Sequence, residues 1–589
     1  MDRRGVSRSL LALAVGGALP PVRAAGASCI PHFELTAAER QAGITPADYS
    51  YPAGNVLRYG ADPTGKREST AAFQQAHDGN NAMTIPSGTF LLNGTTLEQA
   101  FIISKSNFSM IGVGPESQLL STEKGLIGVV TGLAVVNVFC TAATREDISD
   151  IYLANFRISG PTRNTGELAN AKNYLNGLQI CGTRYPHNIT DVRVDDVIVE
   201  GMLMAGFAIN GYTAPDKSYY TLVRGKFTNC TARYGREDGY NCFACASDLI
   251  FSNCEAHDLD GFGHEHGTGQ LTIEGGAIRR CGQAGIGTEY NTTIGAGKRT
   301  VIRGVTISDI TSAAYRNQPA IALGQTVSPF NTEISDCNIS RCGGNGIIVY
   351  GQPTQIAIVR NRITDLGGGG SPAFGVLSYA GTQISILDNT IGTATPGYSM
   401  KTGIACVGAP TVSMVISGND IQGCSEQKIN VGKPAQVIRN LPASLDRAPR
   451  STVGSSATTL MRYPVPAGVL EAADMTIRVH AWGTTAPNAH PKVVTLEFGG
   501  VTVIGTAALA ANGKPWVIDA LLIVEQAGSA GVLAHSASGQ ANGLAVQATL
   551  GRTAPFDFRA EQLLAVIASG SESGDVTQHG MLVEFPNSA

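Results

Sequence analysis

The chain contains few charged residues and few aromatic residues for its length. Charged residues make up 15% and aromatic residues 6% of its 589 residues, and it has only two tryptophans. A disordered chain needs more charge and less apolar content, so the composition excludes disorder. The net charge of -4 leaves no general attraction for nucleic acid or for an anionic membrane. We therefore expect a folded protein that recognises its partner through a local site and not through its overall charge.

The sequence also lacks an apolar run of the roughly 20 residues that a membrane span needs. The apolar run at 10–19 is shorter, follows Arg3, Arg4 and Arg8, and precedes small residues at 24–27. A basic start, a short apolar run and a small-residue end are typical of an export signal. We predict a signal peptide at 1–27 and a secreted or periplasmic protein without a membrane span.

Glycine is abundant, with 71 residues, and it supplies the positive φ angles of tight turns. Many glycines belong to a repeat, in which Gly or Ala precedes an apolar strand at intervals of 22 to 35 residues. The pairs are Gly239-Tyr240, Gly261-Phe262, Gly285-Ile286, Ala320-Ile321, Gly346-Ile347, Gly375-Val376 and Gly403-Ile404. One unit cannot bury its apolar side alone, so neighbouring units must stack. The repeat predicts a parallel β-helix.

A second marker of the repeat is an Asn or Asp that closes a short apolar strand. It occurs at Asn229, Asn253, Asp336, Asn361, Asn389 and Asn419. Stacked amides can hydrogen-bond from one coil to the next. The chain has 12 cysteines, and several of them share a place in the repeat. We therefore interpret most of the cysteines as small buried side chains and not as disulfide partners.

The beginning of the predicted helix carries further motifs. The sequence NVLRYGADPTG at 55–65 precedes a predicted helix from Ser69 to Ala76, and TIPSGTFLL follows at 84–92. This region resembles the start of the pectate-lyase-superfamily β-helices, which polysaccharide-active bacterial proteins and phage tailspikes share. The motifs cover residues 50–120, and the repeat extends the likeness to about residue 440. The resemblance implies a right-handed parallel β-helix with an N-terminal capping helix, but it does not identify the substrate.

The repeat ends near residue 440, and a different pattern follows. We predict an N-terminal extension at 28–52, the β-helix at 53–440, a linker rich in Pro, Ser and Ala at 441–456, and a β-sandwich at 457–589. Alternating apolar residues predict strands at 476–481 and 493–498, and Gly499-Gly500 predicts a hairpin. The predicted fold is therefore all-β.

Acidic residues recur in three neighbouring units of the repeat. When the units are aligned on Gly239, Gly261 and Gly285, Glu265 and Glu289 share an outward position about 4.8 Å apart. Such facing carboxylates repel each other, so they are expected where a shared proton, a cation or catalysis compensates. We predict that Glu265 and Glu289 act as acid/base or nucleophile.

Other residues near this position are predicted to support the same chemistry. Asp238 and Asp260 are expected to stack in the preceding turn, and His266 lies at the end of a strand. Gly263 and Gly287 would let a sugar ring approach the wall. The predicted substrate-binding residues are Asn241, Phe243, Arg316, Tyr350 and Tyr379.

A cation is a further feature that such a site can contain. A uronate lyase or epimerase needs a base and a cation that neutralises the sugar carboxylate, and the candidates for the cation are Lys298, Arg299 and Arg316. Calcium held by Asp238, Asp260 and Glu265 would satisfy its preference for oxygen ligands. No calcium-loop motif is present, so no metal or other cofactor is assigned.

The leading hypothesis is a polysaccharide-degrading or polysaccharide-modifying enzyme, either a glycoside hydrolase or a lyase. The alternative is a non-catalytic polysaccharide-binding protein, either a trimeric tailspike-like stem or an adhesin. The export signal favours the enzyme, because phage virion proteins do not carry one.

Overall fold

A computed structural model describes most of the chain. The described residues are 32–93, 101–123, 126–127, 133–141, 144, 146–161, 173–182, 187–211, 222–243, 246–267, 270–288, 299–311, 317–324, 328–368, 370, 373–379, 381–393, 395–407, 412–431, 437–438, 444–465, 470, 473, 475–506, 508, 513–541 and 544–585. The predicted signal peptide lies outside these residues. Within them, no helix has the length and apolar character to cross a membrane.

Most strands between residues 64 and 438 form three parallel ladders, in which each strand pairs with strands one coil earlier and later. The first ladder contains Ala82–Ile85, Phe108–Gly112, Leu222–Thr228, Ala246–Ser247, Leu249–Ser252, Leu271–Glu274, Thr300–Arg303, Phe330–Ser335, Thr354–Val359, Thr382–Leu387, Val412–Ser417 and Val437–Ile438. The second contains Thr64–Glu68, Gly88–Leu91, Ser117–Leu120, Thr231–Arg233, Glu255–Leu259, Ala277–Cys281, Thr306–Ser308, Asn338–Cys342, Arg362–Leu366, Thr390–Gly392 and Asp420–Gln422. Two longer strands, Ile148–Ser159 and Ile189–Glu200, span both ladders.

The third ladder forms a separate sheet. Its strands are Phe101–Ile103, Leu133–Phe139, Asn173–Gly182, Phe207–Gly211, Tyr240–Phe243, His264–His266, Ile286–Thr288, Ile321–Leu323, Ile347–Val349, Ala373–Tyr379, Met400–Val407 and Cys424–Val431. Leu126–Ile127 pairs with Asn173–Gly182 in the antiparallel sense. Apolar side chains from all three ladders meet in one continuous core inside the coils. The predicted parallel β-helix is confirmed.

The repeated glycine has a steric cause. A Cβ at Gly239 would lie 2.7 Å from the carbonyl oxygen of Gly263 and 3.1 Å from the Cβ of Ala256 on the second ladder. Backbone N–H groups of Gly239 and Tyr240 donate to the carbonyls of Phe262 and Gly263. Gly263, and not Gly261, is therefore equivalent to Gly239, so the predicted alignment of this coil was shifted by two residues.

The predicted amide ladder is present inside the last coils. The Asn389 Nδ2 donates to Asn419 Oδ1 at 2.8 Å and to the carbonyl of Ile358 at 3.0 Å, and Asn389 Oδ1 accepts from the Nδ2 of Asn361 at 3.0 Å. The column continues to Cys337, whose backbone N–H donates to Asn361 Oδ1. Asn361 is equivalent to Cys337 and not to the preceding Asp336. Six of the cysteines whose side chains are described carry free thiols: Cys230, Cys242, Cys254, Cys281, Cys337 and Cys342.

Replacing Asn389 by Ala is expected to lower the free energy of unfolding by about 3 kcal/mol, because it leaves the amides of Asn361 and Asn419 incompletely paired. Asn389→Cys should cost less, since Cys337 occupies the same column. The measurement is the midpoint of denaturant unfolding. Asp388→Asn changes an exposed residue at φ 54° and serves as the control. Equal effects of Asn389→Ala and the control would contradict a stabilising amide ladder.

Three helices precede the first ladder: Ala37–Gln41, the 3₁₀ helix Val56–Tyr59 and Thr70–Gly79. Glu39 and Arg58 form a fully buried ion pair with Nε–Oε1 at 2.7 Å. Burial opposes ionisation of Glu39, but hydrogen bonds from Arg58, Thr36 and Tyr59 lower its pKa to about 2. This ion pair connects the helix Ala37–Gln41 to the 3₁₀ helix Val56–Tyr59.

Two antiparallel sheets share one core near the C-terminus. The seven-stranded sheet contains Ser444–Asp446, Arg450–Ser451, Thr476–Thr485, Pro515–Gln526, Gly531–Ala541, Leu544–Phe556 and Val576–Glu584, and the four-stranded sheet contains Thr458–Val465, Val493–Phe498, Val501–Gly505 and Gln562–Ser569. Gly499 and Gly500 have positive φ at the predicted hairpin. The two shortest strands lie within the predicted linker and pair with Val576–Glu584.

Candidate functional site

The outward-facing side of the third ladder contains one column of residues, called here the outer column. Successive coils place its members directly opposite one another in the parallel register. They are Ile102, Asn137, Gln179, Ala208, Asn241, Glu265, Gly287, Ala322, Ile348, Leu377 and Ala405. The side chains of this column are buried although they point away from the core of the coils. Polar members occur from Asn137 to Glu265, and the following members are apolar or glycine.

The predicted pairing of Glu265 with Glu289 is wrong. Glu265 pairs with Asn241 on one side and with Gly287 on the other. Gly263 is the glycine that precedes the strand of this coil, so Glu265 is the second residue after that glycine and not the fourth after it, as the alignment on Gly261 had placed it. Glu289 follows Thr288, the last residue of its strand, and lies outside the described residues.

Glu265 instead meets Asp238 and Asn241. The Asn241 Nδ2 donates to Asp238 Oδ2 at 2.6 Å and to Glu265 Oε2 at 2.7 Å. The two carboxyl groups accept from the same amide nitrogen, so they lie next to each other. Asp238 is 6% exposed and Glu265 is 9% exposed. We call Asp238 and Glu265 the carboxyl pair.

Asp238 combines a repeated structural role with a role of its own. Its Oδ1 accepts the backbone N–H of Phe262 at 2.9 Å, as Asn176 accepts from Ala205 and Asn345 from Phe374. The members of each pair occupy the same place on consecutive coils. The structural contact therefore needs a side-chain oxygen and no charge. A carboxyl group adds a second acceptor oxygen, and Asp238 Oδ2 accepts from Asn241 Nδ2.

The protonation of the carboxyl pair follows from its burial. Burial raises the pKa of Asp238 above its usual value near 3.8, although hydrogen bonds from Glu265, Phe262 and Asn241 act in the opposite direction. Two neighbouring carboxyl groups repel each other when both are ionised, and this repulsion also favours a protonated form.

His266 does not belong to this site. Its ring lies in the core, 1% exposed, with its centroid 5.4 Å from that of Phe251 and 5.3 Å from that of His264. Side chains alternate along a strand, so His264 and His266 both face inward while Glu265 faces outward. The prediction that His266 supports the chemistry at the outer wall is therefore wrong.

Asp260 is separate from the carboxyl pair as well. The residue equivalent to Asp238 on this coil is Phe262, so Asp260 does not stack on Asp238, and its side chain is exposed. Burial nevertheless raises its pKa, and the charge of Arg236 opposes the rise. Glu237, which the sequence analysis missed, is half-buried, and burial and the neighbouring Asp238 raise its pKa.

The glycines of the wall do not leave space for a sugar ring. A Cβ at Gly287 would lie 2.6 Å from the ring of Phe262, and one at Gly263 would overlap Ile278 inside the coils. Phe262 begins an apolar outer cluster that continues through Ala284, Ala322, Ile348, Leu377 and Ala405. The predicted approach of a sugar at these two glycines is wrong.

The aromatic residues further along the wall stack as a pair. The rings of Tyr350 and Tyr379 have centroids 5.7 Å apart and an interplanar angle of 17°. Tyr379 is 37% exposed, and Tyr350 is half-buried. The backbone of Phe243 ends the strand after Cys242, but its side chain lies outside the described residues, as does Arg316. The roles of these four residues in substrate binding stay predictions.

The described residues contain no group of three or more His, Cys, Asp or Glu side chains that could hold a metal ion. The calcium ligands considered from the sequence do not form such a group, because Asp260 lies two residues before the residue opposite Asp238 and its side chain is exposed. The polar residues that sequence reasoning missed are Asn137, Asn176 and Gln179. The sequence did not indicate these residues, because their coils precede Gly239, where the recognised repeat begins.

Comparisons with known proteins agree with the fold. No family model matches the sequence, and no curated protein matches it. The A-module of mannuronan C-5 epimerase AlgE4 from Azotobacter vinelandii is similar in structure, with a TM-score of 0.50 and 17% identity over 66% of this chain and 100% of the module. The catalytic domain of a GH87 alpha-1,3-glucanase has a TM-score of 0.44 and 13% identity, over 67% of this chain and 69% of its own. The Streptococcus pneumoniae surface protein and adhesin PfbA has a TM-score of 0.42 and 11% identity, over 64% of this chain and 99% of its own.

Proposed function

We propose that the protein is a secreted or periplasmic enzyme that cleaves or modifies a polysaccharide at the outer wall of its β-helix. The observation that carries the proposal is the carboxyl pair, in which Asp238 and Glu265 are buried and both accept from one amide nitrogen of Asn241. A buried carboxyl pair is costly to the fold, so it is expected where proton transfer compensates.

The geometry of the pair favours some reactions over others. Two oxygens that accept from the same nitrogen are closer than the roughly 6.5–9.5 Å between carboxyl groups of inverting glycosidases. The pair therefore suits a retaining cleavage or the abstraction of a proton next to a uronate carboxylate. Mannuronan C-5 epimerase, which shares the fold, is named for a reaction on a uronate polymer.

A panel of soluble polysaccharides tests the proposal. The purified full chain is incubated with laminarin, dextran, alginate and polygalacturonate. New reducing ends alone indicate hydrolysis, and reducing ends with unsaturated uronates indicate a lyase. Incorporation of deuterium from solvent without cleavage indicates epimerisation. A folded sample that shows none of these changes on any polymer contradicts an enzymatic function on these substrates.

The second candidate is a non-catalytic polysaccharide-binding protein. The stacked and partly exposed rings of Tyr350 and Tyr379 favour it, because aromatic faces can bind sugar rings without any chemistry. This candidate predicts retention on immobilised polysaccharide with no change in the polymer. A homotrimer, as in a tailspike-like stem, belongs to this candidate and is tested by the mass of the particle in solution.

A further inference from the structure

The two tryptophans of the chain lie on opposite faces of the seven-stranded antiparallel sheet near the C-terminus. Trp516 is 2% exposed and belongs to the apolar core between the two sheets. Trp482 lies on the neighbouring strand, where Val479 and Ala481 belong to that core. Because side chains alternate along a strand, the indole of Trp482 points away from the core, and it is partly exposed.

The indole of Trp482 lies with one face on the neighbouring strand Val576–Glu584. Gly580 is the residue opposite it, and a Cβ at Gly580 would lie 2.5 Å from Cη2 and 2.7 Å from Cε2 of the indole. Nearly equal short distances to these two ring atoms place that Cβ above the ring face and not at its edge. A glycine inside a strand often marks such a close approach. The register shifts beside Gly580, where His579 is the extra residue of a bulge.

Exposed polar side chains border the indole. The ring centroid of His480 is 5.3 Å from that of Trp482, and His480 Nδ1 and Asp519 Oδ1 are 2.7 Å apart. The side chains of His480 and Asp519 are 39% and 45% exposed. Asp519 is opposite Ser538, which is also exposed. A flat aromatic ring and hydrogen-bonding groups are therefore both accessible on this face of the sheet.

The chemistry of the bordering groups identifies the class of ligand. When the neutral ring of His480 donates from Nδ1 to Asp519, its Nε2 is an acceptor, and the carboxylate of Asp519 offers further acceptors. A sugar ring has an apolar C–H face for the indole and hydroxyl donors at its edge for these acceptors. A uronate would be repelled by the charge of Asp519, because Arg478, the arginine of this strand, is paired with Glu584 at 3.9 Å.

The surroundings of Trp482 also distinguish a sugar from other partners of an exposed tryptophan. A protein interface places its tryptophan in an apolar centre. Here the exposed neighbours Thr484, Ser538 and Gln540 are polar, and the apolar Val517 is only partly exposed. The net charge of -4 gives no attraction for a nucleic acid, whose bases could otherwise stack on the ring.

We propose that Trp482, His480 and Asp519 form a platform that binds a neutral sugar unit of a polysaccharide. The sugar ring stacks on the indole, and its hydroxyl groups donate to the two acceptors beside it. The platform shares no residue with the carboxyl pair or with Tyr350 and Tyr379. It therefore goes beyond the proposed function, and it attaches the protein to a neutral polysaccharide whether or not the β-helix acts on that polymer.

Fluorescence of the full chain tests access to the platform, because Trp482 and Trp516 are its only tryptophans. Acrylamide should quench part of the emission, and laminarin, dextran or galactomannan should protect that part. Alginate and polygalacturonate should not protect it. Trp482→Phe should abolish the protected signal, since Trp516 is buried. Emission that acrylamide cannot quench, no protection by any of the neutral polymers, or equal protection by the uronate polymers overturns the platform.

Affinities measured by calorimetry test the stacking contact. Trp482→Ala should weaken binding of the protecting polymer by about tenfold or more, the usual scale for truncating a central aromatic residue. Trp482→Phe should retain part of the affinity, and Gly580→Ala should weaken binding because its Cβ displaces the indole. Leu563→Ala removes an apolar side chain that is 40% exposed on the four-stranded sheet and is the matched control. Equal affinities of the control and the folded Trp482→Ala variant contradict the platform.

Two further outcomes separate this proposal from others. If Trp482→Ala loses binding while the wild type turns over no polymer, the platform stands and the proposed enzyme fails. Glu265→Gln should protect Trp482 from acrylamide as the wild type does when the polymer is added. If Trp482→Ala changes the mass of the particle in solution but not the affinity, this face is an interface between two copies of the chain, and the platform is overturned.

Discussion

Glu265→Gln and Asp238→Asn are each expected to lower kcat on the accepted polysaccharide by about 100-fold or more, the usual range for the loss of a general acid or base. Each substitution removes one of the two carboxyl groups that the proposed proton transfer needs. The initial rate at saturating substrate measures the effect. Because the two residues act as one unit, the double variant should be little worse than either single variant.

The fold itself shows why Asp238→Asn should remain stable. Asparagine already occupies the equivalent place at Asn176 and Asn345, where its side-chain oxygen makes the same contact with the next coil. The Asn176–Gln179 contact further shows that two amides fit this geometry. A loss of activity by Asp238→Asn can therefore be read as a loss of chemistry and not of structure.

A carboxylate outside the site provides the control for these variants. Asp336→Asn breaks an exposed ion pair with Arg360, with Nη2–Oδ2 at 2.8 Å, and should leave the rate unchanged. Activity should also fall as the pH rises, because Asp238, whose pKa is raised by burial, then loses the proton that a general acid needs. Full activity of Glu265→Gln, with melting temperature as the only property that changes, would assign the carboxyl pair a purely structural role.

The β-helix is expected to lose stability steeply in mild acid because of two histidines in its core. His264 and His266 are buried, and burial lowers the pKa of His264 well below its usual value of 6.5 and the pKa of His266 to about 3. As the pH falls below 6.5, histidines of the unfolded chain take up protons that the buried rings cannot. Each histidine then lowers the free energy of unfolding by up to about 1.4 kcal/mol per pH unit. The two together remove up to about 5 kcal/mol between pH 6.5 and pH 4.5.

The neighbouring coils suggest the substitutions that test this expectation. Ile286 is the residue opposite His264, and Leu323 belongs to the same inward column as His266. The variant His264→Ile with His266→Leu should keep most of its stability from pH 6.5 to pH 4.5. It should be at least as stable as the wild type at pH 7.5, because it removes two ring nitrogens that have no partner among the described residues.

Denaturant midpoints at pH 7.5, 6 and 5 measure the pH dependence. His187→Gln removes a partly exposed histidine of the same β-helix and is the control. If the double variant and the control lose stability equally as the pH falls, the acid sensitivity comes from other groups. His77, which is buried near the beginning of the β-helix and also has a lowered pKa, would be the next to test.

The sequence by itself determined the parallel β-helix, because the cause of the repeat is local. A glycine is needed wherever a Cβ would meet the second ladder, and short alternating strands are needed wherever one face is buried. The stacking of Asn361, Asn389 and Asn419 followed from the same periodicity. The hairpin at Gly499 and Gly500 could also be predicted from the sequence, because a turn with two positive φ angles favours glycine at both positions.

Only the tertiary structure decided the site. Because the coils differ in length, the sequence does not show which residues of neighbouring coils lie opposite each other. Correcting the alignment of one coil by two residues places Glu265 beside Asp238 and Asn241 instead of opposite Glu289. The sequence could not show which of Gly261 and Gly263 is the glycine that precedes the strand, because the residues after either glycine could form one. The second ladder decides between them, because its side chains leave no space for a Cβ at residue 263. The burial of Asp238 and Glu265, and hence the raised pKa of Asp238, depends on the same packing.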